Sequence, residues 1–383
     1  MHEVAGPDDA LVGRDADLAA VRSFPAGPAA AAGPGSGDHR ARASVPASPA
    51  RPLGGSGRVL VVVAGAGQGR TALLGVAVAG RPALVVTGHA DETALAHAGL
   101  HRLLGGDLTA LLDSGDDLTV AQALAEWIGP ALLVVDDAHL LDEPSWRLLR
   151  LVAHRFPGRL LASVPADEDG FRAAAGLPTH VLSGLDDDAG RALLRARFPE
   201  IAPSPAAALV ETAAGNPAAL VDLAGSLTPE QRRGYAPPPV TLPANSPLRR
   251  RLEAAVAALP APTQDLLLLA ATADPHLSPS ILAAAADRTD LAAAGVPGPA
   301  DWEAAERAGL VVVGDTGVAF VPGVLRSVVH HSAPLHRRQA AHRRLAVALA
   351  GHGQRLGALL HRAAVAGPTD DALARELIAA AGG

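Results

Sequence analysis

Between residues 59 and 184 the chain alternates short unbroken apolar runs with longer stretches of helical spacing. The runs are VLVVV (59–63), ALVVT (83–87), ALLVVDD (131–137), RLLASV (159–164) and THVLSG (179–184). Unbroken runs, as opposed to strict alternation, mark strands covered on both faces, as in a parallel sheet whose crossovers are helices. The pattern predicts a doubly wound α/β domain over 58–185.

After Asp186 the strand pattern stops. Residues 188–198, 205–214 and 215–227 read as helices, so 186–235 is expected to be an all-helical unit. A proline-rich joint at 236–247 opens another unit, with helices near 248–259, 262–273 and 279–286. Residues 301–310 follow, then a hairpin over 311–321 turning at Gly-Asp-Thr-Gly. Helices followed by a hairpin give the order of a winged helix over 236–334. The remainder, 335–383, reads as an Ala/Arg-rich helical tail, the start of a repeat region. Before the α/β unit, 1–24 holds a loop and one helical segment. Residues 25–57, rich in Pro, Gly, Ala and Ser without apolar periodicity, read as a flexible low-complexity insertion.

Composition sharpens this picture in a few places. With 383 residues, two or three domains are expected. Aromatic residues are 2% of the chain, so the cores must be built from Ala, Leu and Val. The 32 basic residues are all arginine, a bias consistent with drift in a GC-rich genome. Absence of cysteine excludes disulfides and thiolate metal sites. The N-terminus shows no secretory signal, and no apolar run reaches the roughly 18 to 20 residues that span a bilayer. The expected location is cytoplasmic. A net charge of −7 weighs against a general nucleic-acid surface.

The first strand runs into AGAGQGRTALL, which approaches a phosphate-binding loop. In such a loop, glycines let backbone N–H groups curl round phosphate oxygens, and the next helix adds its positive end. Gly65, Gly67 and Gly69 keep that freedom, and Thr71 keeps the hydroxyl that would ligate Mg²⁺. Arg70 stands where the lysine belongs and Ala64 where the first glycine belongs, so the full motif is not satisfied. Alone, the loop reads equally well as an ordinary glycine-rich strand-to-helix turn. The strand LLVVDD tips the balance, because it ends in two carboxylates in the right order behind the loop. Asp136 would hold Mg²⁺ through water, and Asp137 would be the catalytic acid orienting the attacking water.

In order along the chain stand LVGRDADL, AGAGQGRTALL, AHAGLHRLL, LLVVDDAHLLDEPSWRLLRLVAHR, LSGLDDDAGRALL, AAGNPAALVDL and VLRSVVHHSAPLHRRQAAHRRLAVAL. Together they resemble the ATP-binding module of large LuxR-family transcriptional regulators, which belong to the signal-transduction ATPases with numerous domains (STAND, AAA-like). The resemblance covers nearly the whole chain outside 25–57. It implies an α/β P-loop NTPase followed by an all-helical lid, a winged-helix-like unit and a helical tail, clamping ADP at rest and opening on exchange for ATP. It places Val12, Gly13 and Arg14 near the adenine, making 1–24 an adenine-side segment. Gly65, Gly67, Gly69, Arg70 and Thr71 fall at the phosphates, Thr71 and Asp136 at the metal, and Pro217 of Gly-Asn-Pro against the base. The cofactors implied are ATP or ADP and Mg²⁺, with Ala64 and Arg70 weighing against both.

Departures from the family gather where phosphates would lie. Ser163, Val164 and Pro165 stand where an arginine is expected, and Phe320-Val321-Pro322-Gly323 lacks the histidine of Phe-x-His-Pro. The resulting expectation is a nucleotide-binding regulatory switch with a degenerate phosphate loop, hydrolysing ATP slowly at most. Two alternatives remain open: a pseudo-ATPase scaffold that binds no nucleotide, and a competent ATPase using Arg70. Beyond the nucleotide, protein partners or further copies of the chain are expected. DNA would be reached only through a C-terminal helix-turn-helix domain absent from this chain, and no membrane is involved. The histidines of 330–344 read as a solvated basic helix face, not a metal site; Asp186 to Asp188 read as a helix cap; and Trp127, Trp146 and Trp302 as core or domain-contact residues.

Overall fold

The computed structural model describes residues 11–23, 58–105, 112, 116–156, 158–286, 299–366 and 370–381. The insertion expected at 25–57 therefore lies outside the described residues, as do the ends of the 1–24 segment. By its internal contacts the chain divides into two compact units, Met1–Ala64 with Gly69–Ser183, and Gly65–Gln68 with Gly184–Gly383.

In the first unit the elements run α1 (Asp15–Ser23), β1 (Val59–Ala64), α2 (Arg70–Val78), β2 (Ala83–Thr87) and α3 (Ala98–Leu104). Then come α4 (Asp117–Ile128), β3 (Leu132–Asp136), α5 (Glu143–Arg155), β4 (Arg159–Pro165), α6 (Glu168–Ala173) and β5 (Thr179–Val181). The strands form one parallel sheet in the order β2-β3-β4-β1-β5. Insertion of β4 between β1 and β3 reverses the winding, and such a switch point opens a crevice at the carboxyl ends of the strands.

Side chains alternate between two cores, as the strand period requires. Val61, Val63, Val135 and Leu160 face Leu100, Leu124 and Leu149 of α3, α4 and α5. Val62, Val134 and Leu161 face Leu73 and Leu74 of α2 and Val21 of α1. Only the central strands are covered on both faces. The edge strands are not: Val85 of β2 is 57% exposed and Val181 of β5 is 66% exposed. The run of β2, ALVVT, matches those of buried strands, whereas β5, Thr-His-Val, is more polar, as an edge allows. Trp146 belongs to this core, its indole N–H donating to the Ala173 carbonyl at 3.1 Å.

One buried carboxylate ties two helices down. Asp142 is 2% exposed and caps α5 by accepting from Ser145 N at 2.9 Å. Its oxygens also accept from His97 N at 2.8 Å and Gly99 N at 2.9 Å, at the start of α3. Backbone donors that a helix start leaves unpaired are thus satisfied in both helices by a single side chain.

The second unit is helical apart from one hairpin. Its helices are α7 (Asp187–Arg197), α8 (Pro203–Ala213), α9 (Pro217–Gly225), α10 (Pro229–Arg232), α11 (Pro247–Ala257), α12 (Ala261–Thr272), α13 (Pro279–Ala286) and α14 (Pro299–Arg307). An antiparallel pair, β6 (Val311–Gly314) and β7 (Gly317–Phe320), precedes α15 (Leu325–Ser332), α16 (Leu335–Gly351), α17 (Arg355–Ala363) and α18 (Asp371–Ala381). Capping explains many of the starts. Asp186, Asn216, Thr228 and Ser246 each accept from a backbone N–H of the first turn, and proline opens α8, α9, α10 and α11. One core of Leu, Ala and Val, with Trp302 and Phe320, joins these elements apart from α10 and α18.

Candidate functional site

Four residues of the first unit converge where β1 and β3 end. Thr71, in the first turn of α2, donates its hydroxyl to Asp136 Oδ2 at 2.7 Å. Asp136 is the last residue of β3, 8% exposed. Its Oδ1 accepts from the hydroxyl of Ser163 in β4 and from the Asp137 N–H at 3.1 Å. The same N–H reaches Ser163 Oγ at 3.0 Å. A wholly buried serine therefore organises both acidic residues. Ser163 stands where an arginine was expected, and its role was legible only as a departure from the family pattern.

Asp137 leaves the strand in a left-handed conformation, φ 50°, uncommon for a residue with a side chain. The adjacent backbone is tight: a Cβ on Gly88, just after β2, would lie 2.3 Å from the Asp137 carbonyl oxygen. Asp137 Oδ1 accepts from Arg70 Nη2 at 3.0 Å, and Arg70 Nη1 points to the Ala64 carbonyl at 3.4 Å. Arg70 is 8% exposed. The arginine is thus folded against the acid and the end of β1.

Ala64 proves to be a strand residue. It is 1% exposed and pairs in register with Pro165, so extended backbone suffices there and glycine is not needed. Gly69 caps α2 in the left-handed region at φ 90°. The first turn of α2 carries no acidic residue of its own; the carboxylates beside it are Asp136, on Thr71, and Asp137, on Arg70.

The loop residues 65–68 group with the second unit. Within it, Asn216 Nδ2 donates to the Ala66 carbonyl at 2.8 Å, and Ala218 N donates to the Gly67 carbonyl at 3.2 Å. Gly67 has φ 76°, and a Cβ there would lie 2.7 Å from Asn216 Oδ1. Gly65 is less constrained, since its Cβ would meet Val321 Cγ1 at 3.8 Å, an ordinary contact. Pro217 is the first residue of α9, between the two that bond the loop. Asn216, 1% exposed, is the residue that Gly-Asn-Pro contributes to the loop carbonyls, a role the sequence did not assign.

Val12, Gly13 and Arg14 precede α1 in the first unit. Arg14 is 4% exposed, pairs with Asp17 at 3.1 Å and donates to the Ser183 carbonyl at 2.5 Å. Asp17 in turn contacts His180 Nε2 at 2.8 Å. This segment is fastened to the β5 end of the sheet by charged groups.

Thr71 and Asp136 present oxygen donors of the kind a hard divalent cation takes. Among the described residues there is no group of three or more His, Asp or Glu side chains that could hold a metal. The solvated basic face expected near 330–344 needs correction. His336 is exposed, but His330 and His331 lie on α15, a helix separate from α16, with ring centroids 4.9 Å apart. His342 of α16 is 6.4 Å from the His330 ring, and its Nδ1 meets His361 Nδ1 of α17 at 2.8 Å. Spacing along one helix could not reveal a cluster drawn from three helices.

A Walker-type ATPase of Pyrococcus abyssi is similar in structure to this chain, with TM-score 0.50 and 14% identity over 71% of this chain and 91% of that one. The fold is that of an α/β P-loop NTPase with helical parts. A STAND protein of Pyrococcus horikoshii with a tetratricopeptide-repeat sensor matches at TM-score 0.35 and 18% identity, over 84% of this chain and 47% of that one. No family model and no curated protein matches the sequence. No described helix is long and apolar enough to cross a membrane.

Proposed function

We propose that this chain is a nucleotide-responsive regulatory switch module, of the kind found in LuxR-type transcriptional regulators, that binds ATP or ADP and hydrolyses ATP slowly at most. The observation that carries the reading is the 2.7 Å contact between Thr71 Oγ1 and Asp136 Oδ2, made at the N-terminus of α2 in a P-loop NTPase fold. Helix N-termini bind phosphate through free N–H groups and the helix dipole. Mg²⁺, where bound, would be held by Thr71 directly and Asp136 through water, and would neutralise phosphate charge.

In this reading Gly65, Gly67, Gly69 and Arg70 serve the phosphates, Asp137 orients water, and Val12, Gly13, Arg14 and Pro217 serve the base. The helices over 186–235 act as a lid, 236–334 as a winged-helix-like unit, and 335–383 as a helical tail. Turnover is slow because the residue that would orient water is ion-paired with Arg70, whereas phosphoryl transfer depends almost wholly on positioning and electrostatics. The hydrogen bonds that Asn216 and Ala218 make to the loop favour a second reading, a scaffold whose loop is filled by its own chain.

Hydrogen exchange with saturating ADP, ATP or neither separates the two. A switch protects residues 65–75 on nucleotide addition and gives different patterns with ADP and ATP. Identical exchange in all states would leave the scaffold reading.

A further inference from the structure

The two carboxylates at the end of β3 are unequally employed. Asp136 accepts from Thr71, Ser163 and the Asp137 amide, and so is bound into the framework. The Asp137 carboxylate has a single partner among the described residues, Arg70 Nη2 at 3.0 Å. The guanidinium is 8% exposed and the carboxylate side chain 26%. Arginine stays charged at any working pH and presents its donors in a fixed planar fork, which fits carboxylate and phosphate oxygens alike. Lysine would offer a rotatable point charge; in Arg70 the fork is held, Nη2 on Asp137 and Nη1 towards the Ala64 carbonyl.

We propose that the Arg70–Asp137 ion pair is a latch on the phosphate site, and that a nucleotide phosphate must displace the Asp137 carboxylate to engage Arg70. The inference rests on the nucleotide-binding reading above and adds a regulatory contact to that site. Phosphate and the Asp137 carboxylate compete for the Nη2 side of the guanidinium, so the apparent affinity for phosphate is lowered by the fraction of molecules in which the latch is closed. Asp137 is also released for other work only when phosphate holds Arg70, which couples occupancy of the site to the availability of its acid.

An unusual consequence follows for Asp137→Asn. In a site where this acid serves only metal or water, its loss raises metal-free ADP affinity no more than loss of the neighbouring Asp136 charge does. A latch predicts a gain, because the guanidinium is set free. A charge-assisted contact of this kind corresponds to about a tenfold change in affinity. Asparagine tolerates the left-handed backbone at this position, so the variant should fold.

The test is calorimetric titration of ADP into the full chain in EDTA, for wild type, Asp137→Asn, Asp136→Asn and Arg70→Ala, with circular dichroism to confirm folding. Asp137→Gly, which also accepts positive φ, is the reserve variant. The latch predicts that Asp137→Asn binds ADP about tenfold more tightly than wild type, that Asp136→Asn gains much less, and that Arg70→Ala binds most weakly. Binding by Asp137→Asn where the wild type shows none is the same result in a stronger form. If wild type binds and Asp137→Asn binds no better, the latch is wrong and the nucleotide site stands. An equal gain in Asp136→Asn would reduce the effect to bulk charge and also overturn it. No binding by any of the proteins would overturn the latch and the nucleotide reading together.

Discussion

Asn216 holds the Ala66 carbonyl at 2.8 Å, and its own carboxamide oxygen occupies the space that a side chain on the next residue, Gly67, would need. Gly67 is constrained twice over, by that contact and by φ 76°. Gly67→Ala is therefore expected to destabilise the protein by about 1–3 kcal/mol, combining backbone strain with the displaced neighbour. Urea denaturation would measure it. A loss below about 0.5 kcal/mol would show that the loop shifts freely away from Asn216.

Asp142→Ala tests the double cap. The substitution strands backbone donors at His97, Gly99 and Ser145 at a site 2% exposed. Lost caps and unpaired buried donors make the expected destabilisation about 2–4 kcal/mol. Faster amide exchange at the starts of both α3 and α5 is the accompanying signature. Confinement of the change to α5 would mean that Asp142 is an ordinary cap.

Much of this architecture was legible in the chain. Apolar runs marked β1 to β4, the more polar THVLSG held β5, and Gly-Asp-Thr-Gly marked the hairpin turn between β6 and β7. Thr71 and Asp136, paired by order and spacing along the chain, share a hydrogen bond. What escaped was of another kind. Exposure of β2, whose run matches a buried strand, depends on sheet order, which a strand's own sequence does not encode. The partners of Ser163, Asn216 and Arg14 lie far away along the chain, so their roles emerge only from tertiary contact. Ala64, which stands where the loop's first glycine belongs, is the last residue of β1.

Ser163→Ala removes a buried hydroxyl that donates to Asp136 and accepts from the Asp137 amide. We expect a loss of about 1–2 kcal/mol in stability, since Asp136 keeps Thr71 and the Asp137 amide as partners. Chemical denaturation of wild type and variant would check this. An unchanged midpoint would show that Asp136 is held adequately without the serine.

Acid should weaken the second unit. Burial, with His331, Arg338, His342 and Arg326 around it, pushes His330 down to about 4 from the ordinary 6.5, and burial beside His342 pushes His361 to about 4. His331 is lowered by burial, Arg338 and Arg249, and His342 by burial and Arg338. The acids on the packed helices are committed elsewhere: Glu253 to Arg249 and Ser332, Asp265 to Arg337, and Glu376 to Arg362. Asp274 acts on Arg326.

These histidines are held neutral by folding. Their contribution is complete above pH 6.5 and is lost as pH falls towards about 4. The urea midpoint of the second unit, followed by exchange of its α15–α17 amides, should drop steadily across that window. A double variant, His330→Gln with His361→Gln, should flatten the dependence. A midpoint independent of pH in the wild type would contradict the burial of these rings.

The most direct test of the whole account is calorimetric titration of ATP and ADP, with and without Mg²⁺, into wild type and Arg70→Lys. A nucleotide switch predicts micromolar binding by the wild type, of the order typical of such ligands, and Thr71→Ala should weaken the Mg²⁺-dependent part. Absence of binding heat in both the wild type and Arg70→Lys would contradict the account and leave the loop as scaffold.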